Sequence, residues 1–258
     1  MSESLEPERV ALADVKIWLR ESVALLRRKY WLYLPFSLAF FLAAHKLEMF
    51  SYLTFFAGLI LCQAVLVITI EIASASDQSQ PVSFTRCYQA LLNSVITILL
   101  LSVFYVLMWV VAAKVASFLI VDDLLGIDSG PPAISFLQWL YPGTISLFVI
   151  YIGVMITTLW FLLPLTVFHK LNLLDSMKLA KRGEQKNFVV IVVASYLPFS
   201  AFFLLFMFSE LALVVAVACL PLFGIYLYVS YRHVYLGRRD NAPVQVRSRE
   251  VASAPSTG

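Results

Sequence analysis

The chain has 258 residues, 61% of them apolar (AVILMFWYC) and only 14% charged, with a mean hydropathy of +0.85. Soluble domains run near 45–50% apolar and about 25% charged, so this chain carries more apolar surface than a fold of its length can hide from water. The net charge of +3 comes from basic residues that flank apolar runs and are not gathered on a polar domain, which argues against nucleic acid as a partner and for a lipid bilayer.

Residues 1–12 read as a cytoplasmic tail, and nothing in the first 30 residues resembles the short apolar core of a cleavable signal peptide. From Asp14 to Lys29 the pattern is that of an amphipathic helix. At 100° per residue, Val15, Trp18, Leu19, Ser22, Leu25 and Leu26 share one arc, and Lys16, Arg20, Arg27 and Arg28 share the other. Such a helix is expected to lie in the headgroup plane with its basic face toward anionic lipid.

A crossing needs about 20 mostly apolar residues, and six stretches qualify. The first, about Tyr30 to Ala44, is short and is expected to extend into the preceding helix. The second runs from about Phe50 to Ile72. A second amphipathic segment then starts at Ser83, a good N-cap, with Phe84, Cys87, Tyr88, Leu91 and Leu92 at helical spacing. The third crossing is about Leu91 to Val121, and the fourth lies within Gly143 to Phe168, after an interfacial stretch at Ile134 to Tyr141. A third amphipathic segment follows, with Asn172 as N-cap, Asp175 at the third helical position and Gly183 as a stop. The fifth and sixth crossings are about Phe188 to Phe208 and Leu211 to Tyr231. The fold class expected is an all-α integral membrane protein: residues 13–237 form one membrane domain and 238–258 a disordered cytoplasmic tail. Continuous apolar runs disfavour a β-barrel, which needs alternation.

Charge sets the orientation. The first segment, the loops after crossings two and four, and the tail hold 17 of the 19 Lys and Arg residues, which places both termini in the cytoplasm. The opposite side has Lys46, Asp122, Asp123, Asp128 and Glu210. Lys114 falls near the outer end of the third crossing, where it can snorkel or pair with Glu210. Lys114, Asp122, Asp123, Asp128 and Glu210 are the candidates for structural or partner contact. Lys16, Arg20, Arg27, Arg28, Lys178, Lys181 and Arg182 are the candidates for lipid-headgroup contact.

The motif Tyr33-Leu34-Pro35-Phe36-Ser37 returns as Tyr196-Leu197-Pro198-Phe199-Ser200, each time at the first crossing of a hairpin. This suggests three units, about 13–72, 83–169 and 172–237, each an interfacial helix followed by two crossings.

The last third resembles a group of YciC-like bacterial inner-membrane proteins. The resemblance lies in Phe161-Leu162-Leu163-Pro164-Leu165-Thr166-Val167-Phe168-His169, in Asp175-Ser176-Met177-Lys178 through Lys186-Asn187, and in Pro221 followed by Tyr228, Tyr231 and Arg232. Ala180 and His233 depart from that pattern. The resemblance implies six crossings and an inner membrane, and it implies no activity.

Motifs for metalloprotease, serine hydrolase, P-loop or dinucleotide chemistry do not occur. His45, His169 and His233 stand at the ends of crossings, and Cys62, Cys87 and Cys219 are scattered, so neither a metal nor another cofactor is expected. The expected role is non-enzymatic: an accessory, envelope or immunity-type protein acting through lipid, a membrane-protein partner or another copy of itself. A transporter is the alternative and would be favoured by a polar cavity lined by Gln63 and Asn93. A lipid-modifying enzyme is the second alternative and would require His169, Asp175 and His233 to converge.

Overall fold

The structure is a computed structural model that describes residues 5–46, 52–119, 160–169, 171, 173–196 and 212–237. Every regular element among the described residues is a helix. They are α1 (Asp14–Arg28), α2 (Tyr30–Lys46), α3 (Tyr52–Asp77), α4 (Phe84–Leu119), α5 (Leu162–His169), α6 (Leu173–Lys186), α7 (188–196) and α8 (Ala212–Tyr235). Two of them, α3 over Phe56–Asp77 and α4 over Phe84–Leu107, are long and apolar enough to cross a membrane.

The first helix forms where its charges favour it. Asp14 sits in the first turn and accepts the Ala11 N–H at 2.8 Å, and Arg27 and Arg28 close the last turn. Its expected apolar arc is the buried one, through Val15, Trp18, Ser22 and Leu25. Their partner differs from expectation, however: the arc packs on α8, α3 and α2 and not in a headgroup layer. The first crossing also does not extend into this helix. Lys29 leaves the helical region (φ −143°, ψ 36°), and α2 starts afresh at Tyr30.

The connection from α3 to α4 is a tight reversal. The Gln80 N–H bonds back to the Ala75 carbonyl at 2.8 Å and that of Ser79 to the Ser76 carbonyl at 3.3 Å, with Ser79 left-handed at φ 55° and Pro81 just beyond. This is a Schellman C-cap built on serine where glycine is the usual choice. Left-handed backbone costs an L-residue about 1–2 kcal/mol. Ser79→Gly is therefore expected to raise the unfolding temperature by a few degrees, about 1 kcal/mol after glycine's entropy is subtracted, as read by thermal melts in detergent.

Ser83 holds the N-cap position of α4, its carbonyl accepting from the Cys87 N–H at 3.2 Å. The amphipathic segment and the third crossing are one continuous helix of 36 residues, about 54 Å long. The face that packs inward is Cys87, Ala90, Ser94, Thr97, Ile98 and Leu101, with Leu91 partly buried against the core; of the residues placed at helical spacing after Ser83, Phe84, Tyr88 and Leu92 are exposed.

The C-terminal half of α8 is the centre of the molecule. Ile225 through Tyr231 are all buried, which requires neighbours on every side. Helices α1, α2, α3 and α5 supply them. At Gly224, α8 crosses α3 so closely that a Cβ would lie 2.7 Å from Thr69 Cγ2. Tyr228, Tyr231 and Tyr235 form an aromatic column with Phe168 and Phe161, and the Trp160 indole donates to Ser230 Oγ at 2.8 Å.

Residues 7–10, ahead of α1, are tied to the rest of the molecule. Pro7 is buried, and the Glu8 N–H bonds to the Val234 carbonyl at 2.6 Å. The Asn187 side chain takes the Val10 N–H and gives to the Glu8 carbonyl, each at 2.8 Å, and Lys186 Nζ donates to the Pro7 carbonyl at 2.7 Å. This strap ties the start of the chain to the α6–α7 junction and to the end of α8. The repeated tyrosines are placed differently: Tyr33 is buried at 1% exposure, whereas Tyr196 is 54% exposed. Residues 197–200 of the second copy, the Ile134–Tyr141 stretch, Asn172, and 238–258 lie outside the described residues.

Candidate functional site

Three charged side chains meet where α1, the end of α3 and the end of α8 come together. Glu21 reaches this point from the flank of α1, Asp77 from the last turn of α3 and Arg232 from the last turn of α8. Arg232 uses its two terminal nitrogens separately: Nη2 donates to Glu21 Oε2, and Nη1 donates to Asp77 Oδ2 at 2.6 Å. The Tyr228 hydroxyl also donates to Asp77 Oδ2, at 2.9 Å, and His233 Nε2 lies 2.9 Å from Glu21 Oε2. The Arg232 and Asp77 side chains are 19% and 16% exposed. One guanidinium thus bridges carboxylates from two other helices, a geometry its planar fork suits and a lysine's point charge does not.

Trp18 covers this cluster. It is fully buried, edge-on to the rings of Tyr226 and His233, with centroids 6.2 Å away in both cases. Chemically the arrangement is a lock: carboxylates from two helices face one guanidinium from a third, and the three helices are held by it.

A second polar feature lies under α6. Glu184 is 7% exposed and accepts from the backbone N–H groups of Trp160 and Phe161, just ahead of α5, while its Oε1 has no hydrogen-bond partner among the described residues. Burial pushes its pKa up to about 8, against the lowering effect of those two bonds. The neighbouring Gly183 does not stop the helix, which runs on to Lys186. Glycine is required there because the Tyr235 hydroxyl passes over it to donate to the Leu179 carbonyl at 2.9 Å.

The sign of the pH effect follows. Between the ordinary carboxylate range near 4.5 and about 8, the folded chain keeps a proton on Glu184 that the unfolded chain has released. The stability this contributes is complete below the lower limit and is lost as pH rises through the upper one. The melting temperature of the native chain relative to Glu184→Gln is expected to fall from pH 5 to pH 9, as measured in matched detergent buffers. Parallel curves for the two proteins would contradict the assignment.

The residues expected to touch headgroups are exposed: Lys16, Arg20, Arg27 and Arg28 on α1, and Lys178, Lys181 and Arg182 on α6. Lys178 Nζ is 3.9 Å from Asp175 Oδ1. Lys114 belongs to α4, but its side chain is outside the described residues, as are Asp122, Asp123, Asp128 and Glu210, so the Lys114–Glu210 pair falls there too. His169 and His233 do not converge. His169 bonds to Tyr231 and His233 to Glu21, and Tyr231 and His233 are two residues apart on α8, about 200° around its axis. Burial lowers the His169 pKa, which favours the neutral ring. Gln63 is buried and Asn93 is exposed, so the two do not share an environment. Among the described residues, no three His, Cys, Asp or Glu side chains gather to hold a metal ion.

Glu21, Asp77 and Arg232 as a trio were not singled out from sequence. A signal existed: Glu21 is the one acid beyond the first turn of an otherwise basic helix, and Asp77 ends an apolar helix with no basic neighbour in its own turn. No family model, curated protein or solved structure matches this chain.

Proposed function

We propose that this chain is a multi-pass bacterial inner-membrane protein with six crossings and both termini in the cytoplasm, working through lipid or a protein partner and not by catalysis. The observation that carries the reading is the inverted pattern of α4. Ser94, Thr97 and Ser102 are buried, with Ser94 at 0%, while Val95, Ile96, Leu99, Leu100, Val103 and Leu107 are exposed, Ile96 by 62%. In water that order is backward. In lipid it is favourable, because the solvent is itself apolar and small hydroxyl residues let helices approach and bond. The Ser94–Thr166 contact at 3.5 Å joins α4 to α5 in this way.

Six crossings are supported by where the chain returns. The strap and α1, the turn after Asp77, the α6–α7 junction and the end of α8 are tied together by the Arg232 and Asn187 bonds. In this reading the stretches between them leave that end of the molecule and come back three times, and the same end holds the basic segments. Exposed Tyr30, Trp31, Phe84 and Tyr88 near it suit an interfacial aromatic belt. The separation of His169 from His233 favours a non-catalytic role. Kinship with the YciC-like group is part of this proposal and rests on the sequence resemblance of the last third alone. The three-unit organisation remains part of this proposal.

Reporter fusions after Asp128 and after Gly237 test the topology. Opposite compartments are expected, and a shared compartment would end this reading. Affinity purification from detergent with mass spectrometry is expected to find a stoichiometric partner or a second copy of the chain.

A further inference from the structure

The two basic amphipathic helices, α1 and α6, look interchangeable in sequence, and the structure separates them. We propose that α6, and not α1, is the contact with anionic lipid headgroups, through Lys178, Lys181 and Arg182 set around the exposed side chain of Leu174. This rests on the membrane reading above and names the lipid class that reading leaves open.

Helix α1 spends its apolar arc inside the protein, on α8 and α3. Within the helix a basic face is left with little apolar surface to insert beside it, the exposed Leu12, Tyr30 and Trp31 lying beyond its two ends. In α6 the arrangement is reversed: Ser176, Ala180, Gly183 and Glu184 are buried, and the larger apolar residues face out. Leu174 is 68% exposed and Met177 is 44% exposed. On the wheel Leu174 lies between Lys178 and Lys181, with Arg182 about 80° away.

The helix is not free to roll and hide Leu174. The Tyr235 hydroxyl holds the Leu179 carbonyl across Gly183, and Glu184 accepts from the N–H groups of Trp160 and Phe161, just ahead of α5. Exposed Leu171, Phe188 and Val189 continue the apolar surface on both sides. An apolar side chain ringed by cations fits the layer where acyl chains meet phosphate, since it needs both media within one side-chain length. Charge complementarity then selects anionic phospholipid over zwitterionic.

The test uses the full chain with Cys62, Cys87 and Cys219 replaced by alanine and one fluorescent label, at Met177→Cys on α6 or at Ala24→Cys on α1. Vesicles contain phosphatidylcholine and phosphatidylglycerol, with a nitroxide on one lipid or the other. The label on α6 is expected to be quenched several-fold more by nitroxide phosphatidylglycerol than by nitroxide phosphatidylcholine, and the label on α1 equally by both. Each cation near an anionic surface favours it by about fivefold. Lys181→Gln should therefore weaken the preference measurably, and the combined Lys178→Gln, Lys181→Gln and Arg182→Gln should abolish it. Equal quenching on α6, or a preference at α1 as large, overturns the assignment, and so does a preference that survives the triple change, as docking to an acidic protein would leave it. Flotation with the vesicles after alkaline extraction is scored in parallel. A chain that floats without lipid preference loses this inference alone, and one that does not float loses the membrane reading as well.

Discussion

Replacing Trp18 with alanine is expected to cost about 3–5 kcal/mol, the largest effect of any single change at the polar end of the molecule. The side chain is fully buried between Tyr226 and His233, and its removal empties the contact that seats α1 on α8. The indole N–H finds no acceptor among the described residues, so the tryptophan acts here by volume and not by hydrogen bonding. Trp18→Phe should for that reason retain most of the stability, with a loss of about 1 kcal/mol. Thermal unfolding in detergent gives the magnitudes. Trypsin gives the location, because Lys16 and Arg20 are exposed and become cleavable once α1 leaves its seat. Should Trp18→Phe be as damaging as Trp18→Ala, an unrecognised partner for the indole N–H would have to exist.

Arg232→Ala is the second large effect. Breaking a buried ion pair by removing one partner costs about 3–5 kcal/mol. The Glu21 side chain is 36% exposed and Asp77 16%, so water relieves part of the loss, and about 2–3 kcal/mol is expected. The cause is two carboxylates left facing each other without their cation. The cycle that isolates it adds Asp77→Asn to Arg232→Ala. The double variant should be more stable than Arg232→Ala alone, since the second change removes an uncompensated charge. Arg232→Lys should recover less than half, because a single ammonium cannot reach both carboxylates in the fork geometry. Additive losses from Asp77→Asn and Arg232→Ala would show that the guanidinium contributes by packing.

Most of this architecture is readable from local pattern. A hydrophobic arc at helical period locates α1 to within one residue, and Val15, Trp18, Ser22 and Leu25 are buried as the wheel places them. Helix ends with local chemistry are also readable, as Ser83 at the start of α4 illustrates. Failures occur where two faces of a helix are both apolar. In α4 the period puts Phe84, Cys87, Tyr88, Leu91 and Leu92 on one stripe, of which Cys87 and Leu91 pack inward and the other three are exposed, because hydropathy does not say which edge of a stripe meets protein when lipid is the competing solvent. Gly183 is misread for a related reason. Glycine as a stop is a local rule, and here a distant tyrosine, 52 residues on in the chain, requires it inside the helix.

An apolar excess, the lengths of its runs and the lopsided placement of lysine and arginine are properties of the chain before it folds, and they suffice for an all-helical protein suited to a bilayer. Contacts between residues far apart in the chain obey no local period. The pairing of Arg232 with Glu21, 211 positions away, and the choice of α1 to close the bundle while α6 turns Leu174 outward, depend on how helices are rolled against one another. Roll is set by close packing at Gly183, Gly224 and Trp18, where a few tenths of an ångström decide which face can come in.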